Sequence, residues 1–257
     1  MIDLSFLEEK LAGATVPRPN VSGTLSGHAA GEPFSDLVLD TLRLEYGDSI
    51  KKQHQMLNNL MRTKPDATKF DRLNLIPLFS LGDILWTGRI NNPWNTNKLF
   101  QEKQSDFADI LNMSEMWDLV HVIDVKTRNA SKTAQPPNIM SALRLANLCK
   151  SMLDHDETDS LRISYVGVDW VDEGTVLRCV KIHITEMMSI PPELLYINFT
   201  AALQIQFHPS GAPQDFTGSN EDWCKGYLRH YTESYDKRTA KFGKTRVDPF
   251  RGYGEGE

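Results

Sequence analysis

Residues 116–127, MWDLVHVIDVKT, form an apolar run rich in β-branched side chains. Such a run reads as a buried strand. Side chains alternate between the two faces of a strand, so Asp124 and Lys126 share one face and Val125 points into the opposite layer. A second, shorter strand-like run at 107–111 carries Asp109. A turn through Asn112, Ser114 and Glu115 folds the two runs into an antiparallel pair. In that hairpin, about 105–127, Asp109 and Asp124 come to one place with Lys126 beside them.

Elsewhere the pattern changes period. Residues 1–11 read as a short helix, and 12–30, rich in Gly, Pro, Ser and Thr, as a long irregular connection. Helical spacing is expected over 33–46, 50–62 and 70–85, followed by a polar loop at 87–97 with four asparagines and Trp94. Gln135-Pro136-Pro137-Asn138 is a stiff turn before a helix at 139–153, with Asn138 suited to cap it. Strands are expected at 162–171 and 176–185, joined by the hairpin signal Asp172-Glu173-Gly174-Thr175. The stretch 196–208 is mixed. An amphipathic helix at 221–242 has Trp223, Tyr227, Leu228 and Tyr231 as its apolar stripe, and a glycine-rich tail follows. No repeat or linker divides the chain. The expectation is one α/β domain over 1–257, a mixed central β-sheet flanked by helices.

Composition narrows the function classes. Hydrophobic residues make up 40% and charged residues 24%, the balance of a globular protein. No apolar run approaches the ~20 residues of a membrane span, and the N-terminus lacks the basic and apolar regions of a signal peptide. The three cysteines, Cys149, Cys179 and Cys224, are far apart, which speaks against a zinc site or a disulfide framework. A cytoplasmic protein with reduced thiols is expected. A net charge of −6 argues against a protein that coats nucleic acid, although a local basic cleft suffices for a specific binder. Residues 126–132, KTRNASK, offer three cations with hydroxyl and amide donors for phosphates.

Two carboxylates and an ammonium on one face suit phosphodiester hydrolysis. Paired carboxylates make a hard, oxygen-rich site for magnesium, which polarises a phosphoryl oxygen and acidifies a bound water. The lysine orients that water or stabilises charge on phosphorus. The three-residue pattern alone is weak, because Glu8-Glu9-Lys10 fits it too, on a solvated helix face. Two features set Asp124-Val125-Lys126 apart: it ends an apolar run, where charges are seldom found without a partner, and Asp109 precedes it across a hairpin.

Asp109 followed by Asp124-x-Lys126 resembles the PD-(D/E)xK nuclease superfamily, and within it the HincII-type restriction endonucleases. The resemblance is carried by SGTLSGHAAGEPF at 22–34, Glu102-Lys103-Gln104, Ala108-Asp109-Ile110-Leu111 and DVKTRN at 124–129. It continues with QPPNI at 135–139, Tyr196-Ile197-Asn198 and QIQFH at 204–208, in order across roughly 17–240. Ala108 stands where the superfamily carries a proline that ligates nothing.

The resemblance implies a type II restriction endonuclease, a homodimer that cuts both strands of double-stranded DNA at GTYRAC to leave blunt ends, with Mg2+ as cofactor. It implies Asp109, Asp124 and the carbonyl of Val125 as metal ligands, and Lys126 as the residue that positions water. Thr127, Arg128 and Lys132 are then implied to hold the DNA backbone, Gln135 to wedge into the base stack, and Asn138 and Asn198 to read bases. The DNA-reading segments would be about 128–140 and 196–208. Glu32 would approach the metal, or simply favour a helix N-terminus. The family has Ala at the position of Pro136 and Trp-Ala at Phe199-Thr200, which bears on wedge placement and on reading of the central bases. The apolar stripe of the last helix and His183 read as structural. The rival classes are a DNA-binding protein of the same fold that cuts nothing, and a repair nuclease that reads structure rather than sequence.

Overall fold

The computed structural model describes residues 2–20, 27–52, 110–113, 120–132, 136–154, 156–159, 161–200 and 203–248. The expected helices at 50–62 and 70–85 lie outside these residues apart from 50–52, as do the loop at 87–97 and the tail.

The main sheet has six strands in the order β1-β7-β6-β4-β3-β2: β1 (Thr15–Pro17), β2 (Ile50–Lys52), β3 (Ile110–Met113), β4 (Val120–Asn129), β6 (Leu161–Asp172) and β7 (Val176–Glu186). It is mixed. β4 runs parallel to β6, with Asp124 opposite Tyr165 and Lys126 opposite Gly167. β3 and β4 are antiparallel, with Ile110 opposite Ile123. β7 returns antiparallel to β6 through a turn in which Gly174 has φ 89°, a conformation glycine adopts without strain. A parallel pair needs a crossover, and here it is supplied by β5 (Asn138–Ser141) and α3 (Ala142–Asp154).

Each face of the sheet is covered. On one side, Ile123 and Val125 of β4 and Val166, Val168 and Trp170 of β6 pack against α1 (Leu7–Leu11) and α2 (Gly27–Tyr46), through Leu7, Leu11, Phe34, Val38 and Leu42. On the other, Val122, Ile163 and Tyr165 meet α3, α4 (Asn220–Phe242) and a second sheet of β5, β9 (Gln204–Gln206) and β8 (Tyr196–Asn198). Burial of each large apolar side chain contributes about 1.5–3 kcal/mol, so this alternation fixes which face Asp124 and Lys126 occupy. The α4 helix begins in a capping box, Ser219 with Asp222. Its buried Trp223 and Tyr227 stack and donate hydrogen bonds to the carbonyls of Ile190 and Ala142. The three cysteines are buried and unbridged. Among the described residues no helix is long and apolar enough to cross a membrane.

Several boundaries differ from the sequence expectations. The helix expected from 33 starts at Gly27 and carries Pro33 inside it, so the proline does not mark its first turn. The long irregular connection is interrupted by β1, whose Pro17 sits on a strand at the sheet edge, where no ladder donor is needed. Residues 50–52 are a strand rather than the start of a helix, held by pairing with β3. Asn138 does not cap a helix. It opens β5, and α3 starts at Ala142 behind Ser141, whose hydroxyl accepts from the Arg144 amide at 3.4 Å.

Candidate active site

The site is built on the face of β4 that carries Asp124, Lys126 and Arg128. Asp124 is buried to 4% exposure, and Lys126 Nζ lies 2.7 Å from its Oδ2. Behind Asp124 stands Tyr165, fully buried on the adjacent strand with its ring edge-on to Phe207 at 5.4 Å. Burial, and then the negative charge of Asp124, push the Tyr165 hydroxyl well above the usual phenol range. It is a neutral donor, and it has no hydrogen-bond partner among the described residues.

One turn of the strand further on, Arg128 does not project alone. Its Nε donates to Asp169 Oδ1 at 2.9 Å and its Nη2 to Oδ2 of the same carboxylate, a bidentate pair. His183 Nε2 lies 3.2 Å from Asp169 Oδ2. Lys126, Thr127, Arg128, Pro137, Gly167, Asp169, His183 and the segment His208-Pro209-Ser210 line a partly open pocket of about 50 Å³. Such a volume holds a few waters. Lys132 is exposed on the turn after β4.

The small sheet lies beside this cavity and carries the amides. Asn198 Nδ2 donates to Gln206 Oε1 at 3.0 Å, and Gln206 Nε2 donates to Asn138 Oδ1 at 2.7 Å. Asn198 Oδ1 also accepts from the Thr200 amide and hydroxyl at 2.9 and 2.7 Å. Asn138 and Asn198, 60 residues apart in sequence by their numbers, are thus linked through one glutamine, which fixes their side-chain amides in a row.

Of the sequence-predicted site residues, Asp124, Val125, Lys126, Thr127 and Arg128 share one strand, and Asn138 and Asn198 share the neighbouring sheet. Asp109 and Gln135 lie outside the described residues. Glu32 is exposed within α2 rather than at its start. Sequence reasoning gave no role to Tyr165, Gly167, Asp169 or Gln206. Asp169 is three residues before the hairpin turn that starts at Asp172 and carried no motif; only the β4–β6 register, which sets Arg128 opposite it, reveals it. Gln206 alternates with the buried Ile205 and Phe207, the one available signal.

A divalent ion fits the donor chemistry here. The buried Asp124 carboxylate and the Val125 carbonyl are hard oxygens of the kind magnesium takes. Among the described residues no group of three His, Cys, Asp or Glu side chains is placed to hold a metal.

A second polar cluster has a different character. His121 Nε2 is 2.6 Å from Ser164 Oγ, which lies 2.8 Å from both oxygens of Glu186, and Glu186 is forked by Arg162 at 2.7–2.8 Å. The carboxylate engages the serine, not the histidine, so the order needed for an activated serine is absent. Burial, then the Arg162 charge, lowers the His121 pKa to about 3, and the imidazole is neutral.

Comparison with known proteins accords with this arrangement. Residues 7–254 match the family described as "Restriction endonuclease HincII". The chain belongs to the HincII restriction endonuclease family. It is 42% identical over 245 residues to the type II restriction enzyme HindII of Haemophilus influenzae, covering 95% of this chain and 94% of that one. The type II restriction enzyme HincII of the same organism is 41% identical over the same length and shares. Among solved structures, the NlaIV restriction endonuclease aligns over 89% of this chain and 85% of its own at 10% identity and a TM-score of 0.41. The HincII-family match takes in β4, the cavity and the amide row together.

Proposed function

We propose that this chain is a type II restriction endonuclease that hydrolyses both strands of duplex DNA at the palindrome GTYRAC, leaving blunt ends, with Mg2+ as cofactor. The observation that carries this reading is the placement of a buried carboxylate and an ammonium, Asp124 and Lys126, 2.7 Å apart on a strand beside a row of amides. Amides both donate and accept, which suits base edges. Family membership along nearly the whole chain supports the reaction class.

In this reading Asp109, Asp124 and the Val125 carbonyl hold the metal. Asp109 lies outside the described residues, and its part in this reading rests on the sequence motif and on family membership. When bound, magnesium polarises a phosphoryl oxygen and acidifies a coordinated water. Lys126 donates to the attacking water and orients it. Thr127, Arg128 and Lys132 hold the phosphate backbone, Arg128 with its guanidinium oriented by Asp169. Gln135 wedges into the stack, and Asn138 and Asn198 read bases with Gln206 fixing both. The central Y–R step is flexible, so part of the specificity is deformation energy. The protein acts as one endonuclease domain in a cytoplasmic homodimer, because a two-fold axis matches a palindrome and supplies one site per strand.

The test is digestion of a long DNA with magnesium and with EDTA, followed by sequencing of the fragment ends. Discrete fragments with blunt GTY/RAC ends, formed only with magnesium, are expected. Site-specific binding without nicks identifies a silent DNA-binding protein of this fold. Cutting only at junctions or damaged sites identifies a structure-reading repair nuclease. Lys126→Ala abolishes cutting and keeps binding if the lysine orients the attacking water.

A further inference from the structure

The chain as a whole is acidic, with 28 Lys and Arg against 34 Asp and Glu. Residues 237–246, KRTAKFGKTR, nevertheless hold five basic side chains and no acidic one. They form the last turns of α4 and the π-helical turn Gly243–Val247. Lys237, Lys241, Lys244 and Arg246 are exposed.

The helix dipole favours cations in a last turn, and because the π-helical turn continues α4 it acts on Lys241, Lys244 and Arg246 alike without neutralising them. Earlier in the same helix, Lys225 and Lys237 each have a glutamate one turn away. Among the described residues no carboxylate pairs with Lys241, Lys244 or Arg246. Lys237 and Lys241 stand four apart, a like-charge spacing that disfavours a helix. Among the described residues Lys241, Lys244 and Arg246 are thus left without a carboxylate, as expected of a surface that meets an outside anion.

Its position says which anion. The Arg238 guanidinium lies over the Phe242 ring at 4.2 Å and over the Phe199 ring at 5.7 Å, and Arg246 covers Phe242 at 5.0 Å. Phe199 also packs edge-on against Tyr235 at 5.5 Å. Phe199 is the residue after Asn198, whose amide joins the row to Gln206 and Asn138. The stack thus ties the basic strip to the edge of the base-reading sheet. A duplex seated on that row and running on past Phe199 would carry its next phosphates toward this strip.

We propose that Lys241, Lys244 and Arg246 bind the phosphate backbone of the duplex outside the palindrome, held in place through the Arg238 stack on Phe199 and Phe242. The inference rests on duplex DNA being the ligand of the site proposed above. Contacts of this kind add affinity without reading sequence, and each phosphate neutralised steepens the salt dependence of binding.

The experiment compares the full-length protein with Lys241→Gln/Lys244→Gln/Arg246→Gln by fluorescence anisotropy, in EDTA so that the DNA stays intact, across a salt series. One duplex carries the palindrome with ten flanking base pairs on each side and the other with two. On the long duplex the variant loses about 2.7 from the slope of log affinity against log salt for each bound subunit, three phosphates at about 0.9 each. Between 0.05 and 0.2 M salt the affinity of the unsubstituted protein then falls about 40-fold further than that of the variant, per subunit. On the short duplex the two proteins have equal slopes. Equal slopes on the long duplex, or the same loss on both duplexes, overturn the inference. Binding without preference for the palindrome sinks the restriction reading alone, because the slope comparison still stands on any duplex. No binding by the unsubstituted protein overturns both.

Discussion

Gly167 offers a quantitative test of how closely the candidate site is packed. It lies on β6 opposite Lys126 on one side and His183 on the other. A Cβ at this position would sit 2.8 Å from Pro209 Cβ, 3.4 Å from Pro209 Cγ and 3.5 Å from His183 Cβ. The first contact is inside the van der Waals limit, and its partner is a stiff ring beside backbone, so Pro209 must move. Pro209 is anchored by its carbonyl, which accepts the Thr185 hydroxyl at 2.9 Å. Overpacking of this kind costs about 1–3 kcal/mol, and the lower chain entropy of alanine in a strand recovers about 0.5–1 kcal/mol. Gly167→Ala should therefore destabilise by about 1–2 kcal/mol, or about 2–8 °C in Tm for a chain of this size. Displacement of Pro209 also opens the cavity beside Lys126, so DNA cleavage should fall by more than the folded fraction does. Calorimetry together with cleavage rates well below Tm measures both. A Tm within about 1 °C of the parent and unchanged cleavage would show that Pro209 does not press on the site.

Three further outcomes follow from the same geometry. His121 has its pKa lowered to about 3, against about 6.5 when unfolded. The unfolded chain then binds the extra proton, so stability is fully present above pH 6.5 and lost as pH falls toward 3. Urea titrations should show His121→Gln flattening that acid limb by on the order of a few kcal/mol, and an unchanged limb would rule His121 out as its source. Asp169→Asn removes the carboxylate that forks the part-exposed Arg128. It should cost about 1–2 kcal/mol by denaturant melts and raise KM for DNA more than it lowers kcat; a pure kcat loss would contradict the orienting role. Gln206→Leu breaks the amide row and should reduce discrimination against single-base changes in the palindrome by about 1–3 kcal/mol, measured by competition binding, with Tm nearly unchanged.

The shared face of Asp124 and Lys126 was legible because alternation along a buried strand leaves no other choice. The antiparallel pairing with β3 was legible only in outline, since Asn112, expected in the turn, sits inside β3 opposite His121; β6, β7 and α4 were legible because their periodic patterns are long. The shorter elements were not. β1, β2 and β5 have three or four residues each and owe their conformation to partners far along the chain, which no local pattern announces. Asn138 shows why: its side chain suits a helix cap, yet its oxygen accepts from Gln206, 68 residues away. Pro33 misled in another way, since α2 tolerates it in its interior. Arg128 reads locally as a phosphate cation, and the carboxylate that steers it, Asp169, is 41 residues off.

The parallel pairing of β4 with β6 also bears on how the protein is made. The strand carrying Asp124 and Lys126 leaves the ribosome before its neighbour, with β5 and α3 to be synthesised in between. Until Leu161–Asp172 has emerged, Asp124 lacks the wall formed by Tyr165, and Arg128 lacks Asp169. A nascent or truncated chain ending short of that strand therefore lacks the assembled arrangement on which the proposed cleavage depends.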